Sequence, residues 1–462
     1  MRFNIFFFVL LQLNYCGFAQ KSHAEAEIEK LISNSVDFLV RSQYDTTDYV
    51  HFKGEWHSTM GLSKPMFLFT SRADYEDSNS FMLSNTHNHL AALFLSDTSK
   101  FKRLGPVLHL AFGALEPYRM NETYNFWHAY LHSNKKDKND FRWVRRPSTY
   151  PLHSDFLQNA ANLYADVDDI AAAYTAFYLQ HKIDKKIKVP LLSVYANSFV
   201  DLNRQNYNWY NWISGIPRNT GAFLTFTGPE YHHKHPGLFQ ILLHTGFFLL
   251  PKSASYPHFG KSYMPYGTND VDLIVNLNVL SYLALNDELL QNPHAGASIK
   301  YVQHCLSKKN PRKVIIYYPN NFQLPYNLVN TYASGLSIFE KDVERCILSL
   351  LQKQKQNGCF ASSRKINHGD KVQSTANALY AMLFAGNFEK LGTKVAIEKA
   401  VQFLIKQKLE SQELGTYWKG GVFFSGGTVI KNRMFFKSDA YTTALIVREM
   451  QYYLDLKKQG KL

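Results

Sequence analysis

The chain has 462 residues, with 51 Lys and Arg against 37 Asp and Glu, which gives a formal net charge of +14. A chain of this length can bury about 75% of the surface that its unfolded form exposes, so a large core is expected. Apolar residues make up 45% of the sequence, which excludes a wholly disordered chain. With 24 Gly and 16 Pro, the composition also excludes collagen and low-complexity polymers.

The N-terminal segment has the pattern of an export signal. Arg2 supplies a positive charge, residues 4–13 are almost entirely apolar, and small residues precede a cleavage point after Ala19. The run is short for a membrane span, and an uncleaved anchor is the alternative. We therefore expect residues 1–19 to be a signal peptide. Residues 20–462 should form a single domain, exported to the periplasm or the outside of the cell.

Removal of the signal would leave three cysteines, Cys305, Cys346 and Cys359, with no CxxC motif. An odd number permits at most one disulfide, and we expect all three to be small core residues. Because no paired ligand spacing is present, a thiolate zinc site is disfavoured.

The positive charge is spread along the chain in short groups rather than along one helix. No basic recognition helix and no RNA-binding sheet motif accompanies it, so a nucleic-acid partner is not expected. On an exported protein, a basic surface favours acidic glycans or peripheral contact with an anionic membrane face. Ordinary solvated surface charge explains the same pattern more simply.

Internal repeats are the most informative feature of the sequence. Amphipathic helices recur, each followed after a loop by a helix that opens on a polar or acidic residue and presents small side chains. Six such pairs would bury their small-residue faces by closing into a ring, so we predict an all-α fold, an (α/α)6 toroid of six helical hairpins with long loops. The predicted first helices cover residues 25–44, 101–115, 186–203, 294–307, 341–356 and 394–408. The second helices open near residues 77–80, 166–173, 269–273, 326–334, 368–370 and 438–440. Two strand-like patches, 314–318 and 422–424, are expected to form short loop pairings.

The last two repeats resemble those of a known family. Residues 354–360, 368–370 and 374–376, and the loop from Gly415 to Trp418 that leads to Ser438, are similar to the repeats of protein prenyltransferase β-subunits and squalene cyclases. The resemblance implies the toroid. Prenyl transfer to protein is disfavoured, because the zinc-binding Asp-x-Cys pattern of those enzymes is absent.

The segment Asp166-Val167-Asp168-Asp169 resembles the Asp-x-Asp-Asp box with which class II terpenoid cyclases protonate an alkene or epoxide. The resemblance implies that Asp168 is the acid and that Asp166 and Asp169 are its carboxylate neighbours. Three crowded carboxyls cannot all ionise cheaply, so one can retain a proton. Acidic residues at helix starts are also common as caps, which is the structural alternative. No cofactor is predicted.

Aromatic and acidic residues elsewhere are candidates for substrate contact, since aromatic faces stabilise carbocations and stack on sugar rings. Packing in the core or between repeats is the alternative for each aromatic residue. These candidates are Trp127, Tyr207, Trp209, Trp212, Phe223, Phe226, Asp270, Asp272 and Trp418. A metal is not predicted, although the adjacent His232, His233 and His235 could ligate one.

The sequence leaves three functions open. The first is a class II cyclase acting on an apolar polyprenoid. The second is an exported toroid that binds or cleaves an acidic polysaccharide as a lyase or hydrolase, with candidate carriers at residues 124–128, Arg145, Arg146, Arg218 and Asn219. The third is a non-catalytic scaffold that presents its loops to a partner.

Overall fold

The computed structural model describes residues 25–62, 74–133, 141–145, 149, 165–192, 199–202, 215, 217–227, 256–258, 261–263, 270–362, 370–426 and 434–462. This part of the chain contains twelve α-helices. They are α1 (25–41), α2 (Ser80–Ser96), α3 (Leu104–Gly113), α4 (Val167–Ile183), α5 (Leu273–Leu285), α6 (Ala295–Ser307), α7 (Gln323–Ala333), α8 (Glu340–Leu351), α9 (Asp370–Phe384), α10 (Phe388–Leu391), α11 (Lys394–Lys406) and α12 (Asp439–Lys458).

Six of these helices form a closed inner ring. In order, α2 contacts α4, α4 contacts α5, and the series continues through α7 and α9 to α12, which returns to contact α2. The helices α3, α6, α8 and α11 pack outside the ring, against α2, α5, α7 and α9 respectively. The predicted all-α toroid is therefore confirmed, and each predicted second helix is an inner helix.

Burial explains the division into inner and outer helices. The inner helix α5 reads LIVNLNVLSYLAL and is buried along nearly its whole length. The outer helix α8 instead buries a single stripe, Val343, Ile347 and Leu350, at the spacing of one helix face. Helices that are apolar all round need neighbours on every side, which a ring inside a second layer provides.

The predicted helix at 186–203 is wrong. Residues 186–192 and 199–202 are not helical, and residues 193–198 lie outside the described chain. Pro190 lacks a backbone donor and restricts the residue before it, which disfavours a helix there. Its carbonyl oxygen instead accepts a hydrogen bond of 2.5 Å from the Tyr282 hydroxyl, so this segment lies against α5.

Short antiparallel strands decorate the ends of the helices. The largest sheet has the order β11-β12-β1-β2, formed by Phe424–Gly426, Met434–Lys437, Ser58–Leu62 and Asp74–Asp77. The remaining strands form two-stranded pairs. These are β3 (Arg119–Met120) with β4 (Thr123–Tyr124), β5 (Ala129–Ser133) with β6 (Phe141–Arg145), β7 (Tyr256–His258) with β8 (Lys261–Tyr263), and β9 (Leu409–Ser411) with β10 (Gly415–Tyr417).

Of the two strand-like patches, 422–424 ends in strand β11, which pairs with β12, and 314–318 contains no strand. The Ser425 amide of β11 donates to the Tyr317 carbonyl at 2.8 Å, so β11 also bonds to the first patch. Cys305, Cys346 and Cys359 are free thiols; Cys305 and Cys359 are buried and Cys346 is half-buried. In the residues that the structure describes, no helix has the length and apolar character to cross a membrane.

Candidate active site

The candidate site begins at the first turn of α4. Asp166 caps this helix, and its Oδ1 accepts a hydrogen bond of 2.7 Å from the Asp169 amide. Asp168 and Asp169 follow in the first turn, where free amides and the helix dipole favour acidic residues. All three carboxyl side chains are buried, with 8%, 3% and 1% exposure for Asp166, Asp168 and Asp169.

Two side chains from other parts of the ring contact the Asp168 carboxyl. Asn278 of α5 donates from its Nδ2 to Oδ1 at 2.8 Å. The hydroxyl of Tyr318, in the loop before α7, donates to Oδ2. Asn278 Nδ2 also lies 3.2 Å from the Tyr318 hydroxyl, so the three groups form one cluster. Asp168 is therefore held in one orientation from two sides.

Burial raises the pKa of Asp168 from 3.8 to about 7, while the bonds from Tyr318 and Asn278 limit the rise. The pKa of Asp166 is raised well above its usual value, chiefly by burial and next by the nearby charge of Asp168. Asp169 is shifted in the same direction by burial and by its two neighbours. Burial therefore favours the protonated forms of all three carboxyls.

A cavity of about 260 Å³ runs along the centre of the ring, and Asp168 lies on its wall. Other residues of its lining are Phe81, Asn85, Asn88, His89, Thr175, Asn278, Ser281, Tyr326, Asn330, Ser334, Tyr380, Phe384 and Arg448. Among the lining residues that the structure describes, Asp168 is the single carboxylic acid.

A cluster of aromatic rings lies at the end of the cavity where the inner helices start. There Phe424 contacts the rings of Phe81, Phe126, Tyr317 and Tyr318, with ring centres 5.3 to 6.0 Å apart. We call these five residues the aromatic cap. Toward the opposite end the lining becomes more exposed, and Ala333 at the end of α7 is exposed to solvent. Asp168, which bonds to Tyr318, therefore lies near the aromatic cap.

Most polar side chains of the cavity wall bond to the protein itself. Asn85 donates to the Phe81 carbonyl at 2.8 Å, and Asn88 donates to the Ala172 carbonyl at 3.0 Å. Asn330 donates to Ser281 Oγ at 3.1 Å and accepts from the Tyr380 hydroxyl at 2.7 Å. The bond of Asn85 lies within α2 and the other three link neighbouring inner helices, so the polar groups have a structural role without any ligand.

The aromatic residues chosen from the sequence are packed away from this cavity. Trp127 is buried, and its indole nitrogen donates to Asp77 Oδ1 at 2.9 Å. Phe223 and Phe226 are buried, and Phe226 forms an isolated bridge with Asp166. Trp418 is fully buried and donates to the Leu404 carbonyl at 2.7 Å. The structure thus places these four side chains in the core.

The two other acids lie close to the Asp168 cluster but bond elsewhere. Asp270 accepts hydrogen bonds from Thr225 at 2.6 Å and from the Tyr317 hydroxyl at 2.7 Å. Asp272 caps α5, accepting from the amides of Ile274 and Val275. Neither acid lines the described cavity wall.

The remaining sequence candidates, Tyr207, Trp209, Trp212, His232, His233 and His235, lie outside the described residues. Within the part of the chain that is described, no group of three His, Cys, Asp or Glu side chains has the arrangement of a metal site.

Sequence reasoning missed several residues of the cavity wall. Tyr318 was assigned to a loop pairing, and Asn278 was not singled out, although both contact Asp168. Arg448 was also missed, although its position directly after the apolar run Ala444–Val447 of α12 is a signal. A charged residue on an inner helix indicates contact with a polar partner or a ligand.

No family model matches the sequence, and no curated protein matches it. Among solved structures, the chain is similar to the type II terpene cyclase MstE from Scytonema, at 12% identity and a TM-score of 0.51, over 95% of this chain and 100% of that one. It is also similar to an Asp-to-Asn variant of MstE in complex with its substrate geranylgeranyl dihydroxybenzoate, at 11% identity and a TM-score of 0.52, over 95% and 99%. A third match is a possible member of the GH105 family from Klebsiella pneumoniae subsp. pneumoniae MGH 78578, with 11% identity and a TM-score of 0.45, over 94% of each chain. At these identities the likeness concerns the fold.

Proposed function

We propose that the protein is a proton-initiated terpenoid cyclase that uses Asp168 as its Brønsted acid. One observation carries the proposal: a buried carboxyl whose pKa is raised to about 7 lies on the wall of a central cavity, near the aromatic cap. An acid with a pKa near the working pH is protonated often enough to act and is strong enough to donate.

The proposed reaction begins with transfer of a proton from Asp168 to the substrate. The Asp168 O–H bond breaks, and the π electrons of a substrate alkene form a new C–H bond with that proton. The positive charge then lies on the neighbouring carbon, where a second alkene of the same chain attacks and closes a ring. The final cation loses a proton to water, and the Asp168 carboxylate takes up a proton from solvent, so the product is an isomer of the substrate and the acid is restored. Tyr318 and Asn278 stabilise the Asp168 carboxylate that remains after donation.

The cavity wall also suits cationic intermediates. Phe81, Tyr326, Tyr380 and Phe384 present aromatic rings to the same space as Asp168. Ring faces attract cations, and the attraction is larger where water is excluded. These rings can therefore stabilise positive charge as it moves along the substrate.

The cavity size indicates a short chain. At about 30 Å³ for each water-sized group, 260 Å³ holds roughly nine non-hydrogen atoms. A longer polyprenoid would extend through the exposed end near Ala333. A terpenoid cyclase with this fold has been solved with an isoprenoid-bearing substrate, which supports the substrate class.

The wall favours this function over hydrolysis of a glycan. A glycoside hydrolase requires two carboxyl groups facing the bond that is cleaved. The described lining supplies one, Asp168, and its amide side chains are largely bonded to other parts of the protein.

The proposal is tested by incubating the purified protein with linear isoprenoids in deuterated water. The Asp168 proton exchanges with solvent, so the reaction in deuterated water should place one deuterium on the carbon that Asp168 protonates. Mass spectrometry detects this deuterium in the cyclic product. Asp168→Asn should abolish the product. Asp439→Asn is the matched control, because Asp439 starts an inner helix but bonds to Gly420 and Lys419 away from the cavity. Undiminished cyclisation by Asp168→Asn, or no cyclic product from any isoprenoid, would refute the proposal.

Export after cleavage at Ala19 is a separate part of the proposal. It rests on the charged and apolar pattern of residues 1–19. Cell fractionation with N-terminal sequencing should find a chain beginning at Gln20 outside the cytoplasm. A full-length chain retained in the cytoplasm would contradict it.

A further inference from the structure

A positively charged groove lies on the outside of the ring. Its described lining comes from the end of α6, the turn at residues 309–313, the first turn of α7, and the outer helix α8 with the residues after it. This lining includes five basic side chains and one acidic side chain, which gives a formal charge of +4. The basic residues are Lys309, Arg312, Lys313, Arg345 and Lys353. Among the described residues, the groove and the central cavity share no lining side chain, so the two are separate.

The single acid of the lining offsets little of this charge. Asp342 pairs with Arg345 one turn further along α8. In the described part of the chain, the ammonium groups of Lys309 and Lys353 have neither an ion pair nor a hydrogen bond. Desolvation, followed by the charge of Arg312, lowers the pKa of Lys353, so cations from two separate segments repel each other across the groove. A bound anion beside them would relieve this repulsion.

The floor of the groove is apolar, whereas its cations are mostly exposed. Leu324, Pro325 and Leu350 are buried, and Leu306 and Pro311 are half-buried. Four of the five basic residues are exposed, and the fifth, the arginine of the turn, is half-buried. A ligand that fits both surfaces has an apolar face as well as anionic groups. A chain of inorganic phosphate has no such face and is disfavoured.

The lining favours an acidic polysaccharide among the remaining polyanions. None of the described lining residues is aromatic, so a nucleobase has no ring on which to stack. The C–H faces of sugar rings can lie on leucine and proline side chains, and guanidinium groups bind carboxylates through paired hydrogen bonds. The groove has a volume of about 680 Å³, which at about 30 Å³ for each water-sized group holds roughly 23 non-hydrogen atoms, or about two uronate residues.

We infer that this groove binds an acidic polysaccharide, with uronate carboxylates on the basic rim and sugar-ring faces on the apolar floor. This binding goes beyond the proposed cyclase function and does not depend on it, because the groove lies outside the ring. The chain would meet such a polymer after the export proposed above.

The test measures the binding of an oligogalacturonate and of its methyl ester by isothermal titration calorimetry. The two probes share one chain of sugar rings, and only the first carries charge. The wild-type protein should bind the acid at least about tenfold more tightly than the ester. The variant Lys309→Gln/Arg312→Gln/Lys353→Gln should lose about tenfold to a hundredfold in affinity, since each exposed ion pair contributes about two- to fivefold. Lys353→Gln alone should lose about two- to fivefold, and Lys353→Arg should retain the affinity.

The matched control removes the same charge elsewhere on the surface. Lys102, Lys185 and Lys406 are exposed and do not line the groove, so Lys102→Gln/Lys185→Gln/Lys406→Gln should retain the affinity within about twofold in physiological salt. Thermal unfolding of both triple variants shows whether they are folded. Both should keep the turnover of the wild type in the cyclisation assay, because none of these residues lines the central cavity.

Three results would overturn the inference. The first is an absence of binding to the oligogalacturonate, and the second is equal binding of the acid and the ester. The third is an equal loss of affinity in the two triple variants, which would show that the surface charge acts diffusely. Tighter binding of single-stranded DNA, polyphosphate or anionic phospholipid vesicles than of the oligogalacturonate would likewise overturn the assignment to a polysaccharide.

Discussion

Replacement of Asp168 by asparagine should stabilise the protein, and the stabilisation should grow with pH. The pKa of Asp168 is raised from 3.8 to about 7, so the folded state holds this proton more tightly than the unfolded state. Ionisation of the folded protein therefore carries a free-energy cost. That cost is absent below pH 3.8, increases as the pH rises to about 7, and is constant above it.

The size of the effect follows from the shift. A rise of about 3 pKa units corresponds to about 4 kcal/mol of lost stability at pH 8, and linkage gives about 2 kcal/mol at pH 5. Asparagine has no such ionisation. It loses one of the two bonds to Asn278 and Tyr318, which costs about 1 kcal/mol at every pH. The free energy of unfolding of Asp168→Asn relative to the wild type should therefore increase by about 2 kcal/mol between pH 5 and pH 8.

Thermal unfolding of both proteins across this pH range measures the change. For a chain of this length, 1 kcal/mol corresponds to about 1 °C in Tm, so the difference in Tm should increase by about 2 °C. Asp45→Asn is the control, because Asp45 is exposed, and its difference from the wild type should not vary with pH. If the difference in Tm between Asp168→Asn and the wild type is equal at pH 5 and pH 8, the Asp168 carboxyl is not held protonated by burial.

Three further variants test other parts of the structure. Tyr318→Phe removes a donor to the Asp168 carboxylate, so the pKa of Asp168 should rise further. The alkaline limb of the pH profile of kcat/KM should therefore move to higher pH. A limb that does not move would contradict the role of Tyr318. Gly358→Ala should destabilise by more than about 1 kcal/mol because Gly358 has a positive φ and an added Cβ would lie 2.1 Å from the Lys399 carbonyl oxygen. Gly335→Ala, at positive φ with open space, should cost less in the same urea titration, and equal costs would count against the close contact. Trp418→Phe should lower stability by about 1 kcal/mol through its lost bond to Leu404 and leave turnover unchanged; a fall in kcat with unchanged stability would place Trp418 at the site after all.

The repeat pattern predicted the ring because each inner helix carries a local signal. A polar cap such as Asp166 or Asp272 precedes a run of small and apolar residues, and both are readable without tertiary information. The exception at 186–203 had charged and apolar residues compatible with a helix. The described part of this segment is not helical, because Pro190 disfavours a helix and its carbonyl oxygen accepts a hydrogen bond from the distant Tyr282.

The site was predictable only in part. Asp168 was chosen because residues 166–169 resemble the Asp-x-Asp-Asp box of class II terpenoid cyclases, and the three acids are visible in one segment. Its partners Asn278 and Tyr318 are 110 and 150 residues away, and only closure of the ring brings them together. The aromatic candidates that the structure describes, Trp127, Phe223, Phe226 and Trp418, lie in the core. Their sequence does not show this, since a large ring looks the same whether it packs in the core or binds a ligand.

The most direct test of the account is the infrared spectrum of the Asp168 carboxyl. A difference spectrum between the wild type and Asp168→Asn at pH 5 should contain the carbonyl band of a protonated, buried carboxyl group. That band should disappear with a midpoint near pH 7, the value to which burial raises this pKa. A carboxylate signal already present at pH 5 would show that Asp168 is ionised in the folded protein and cannot donate a proton in the cavity.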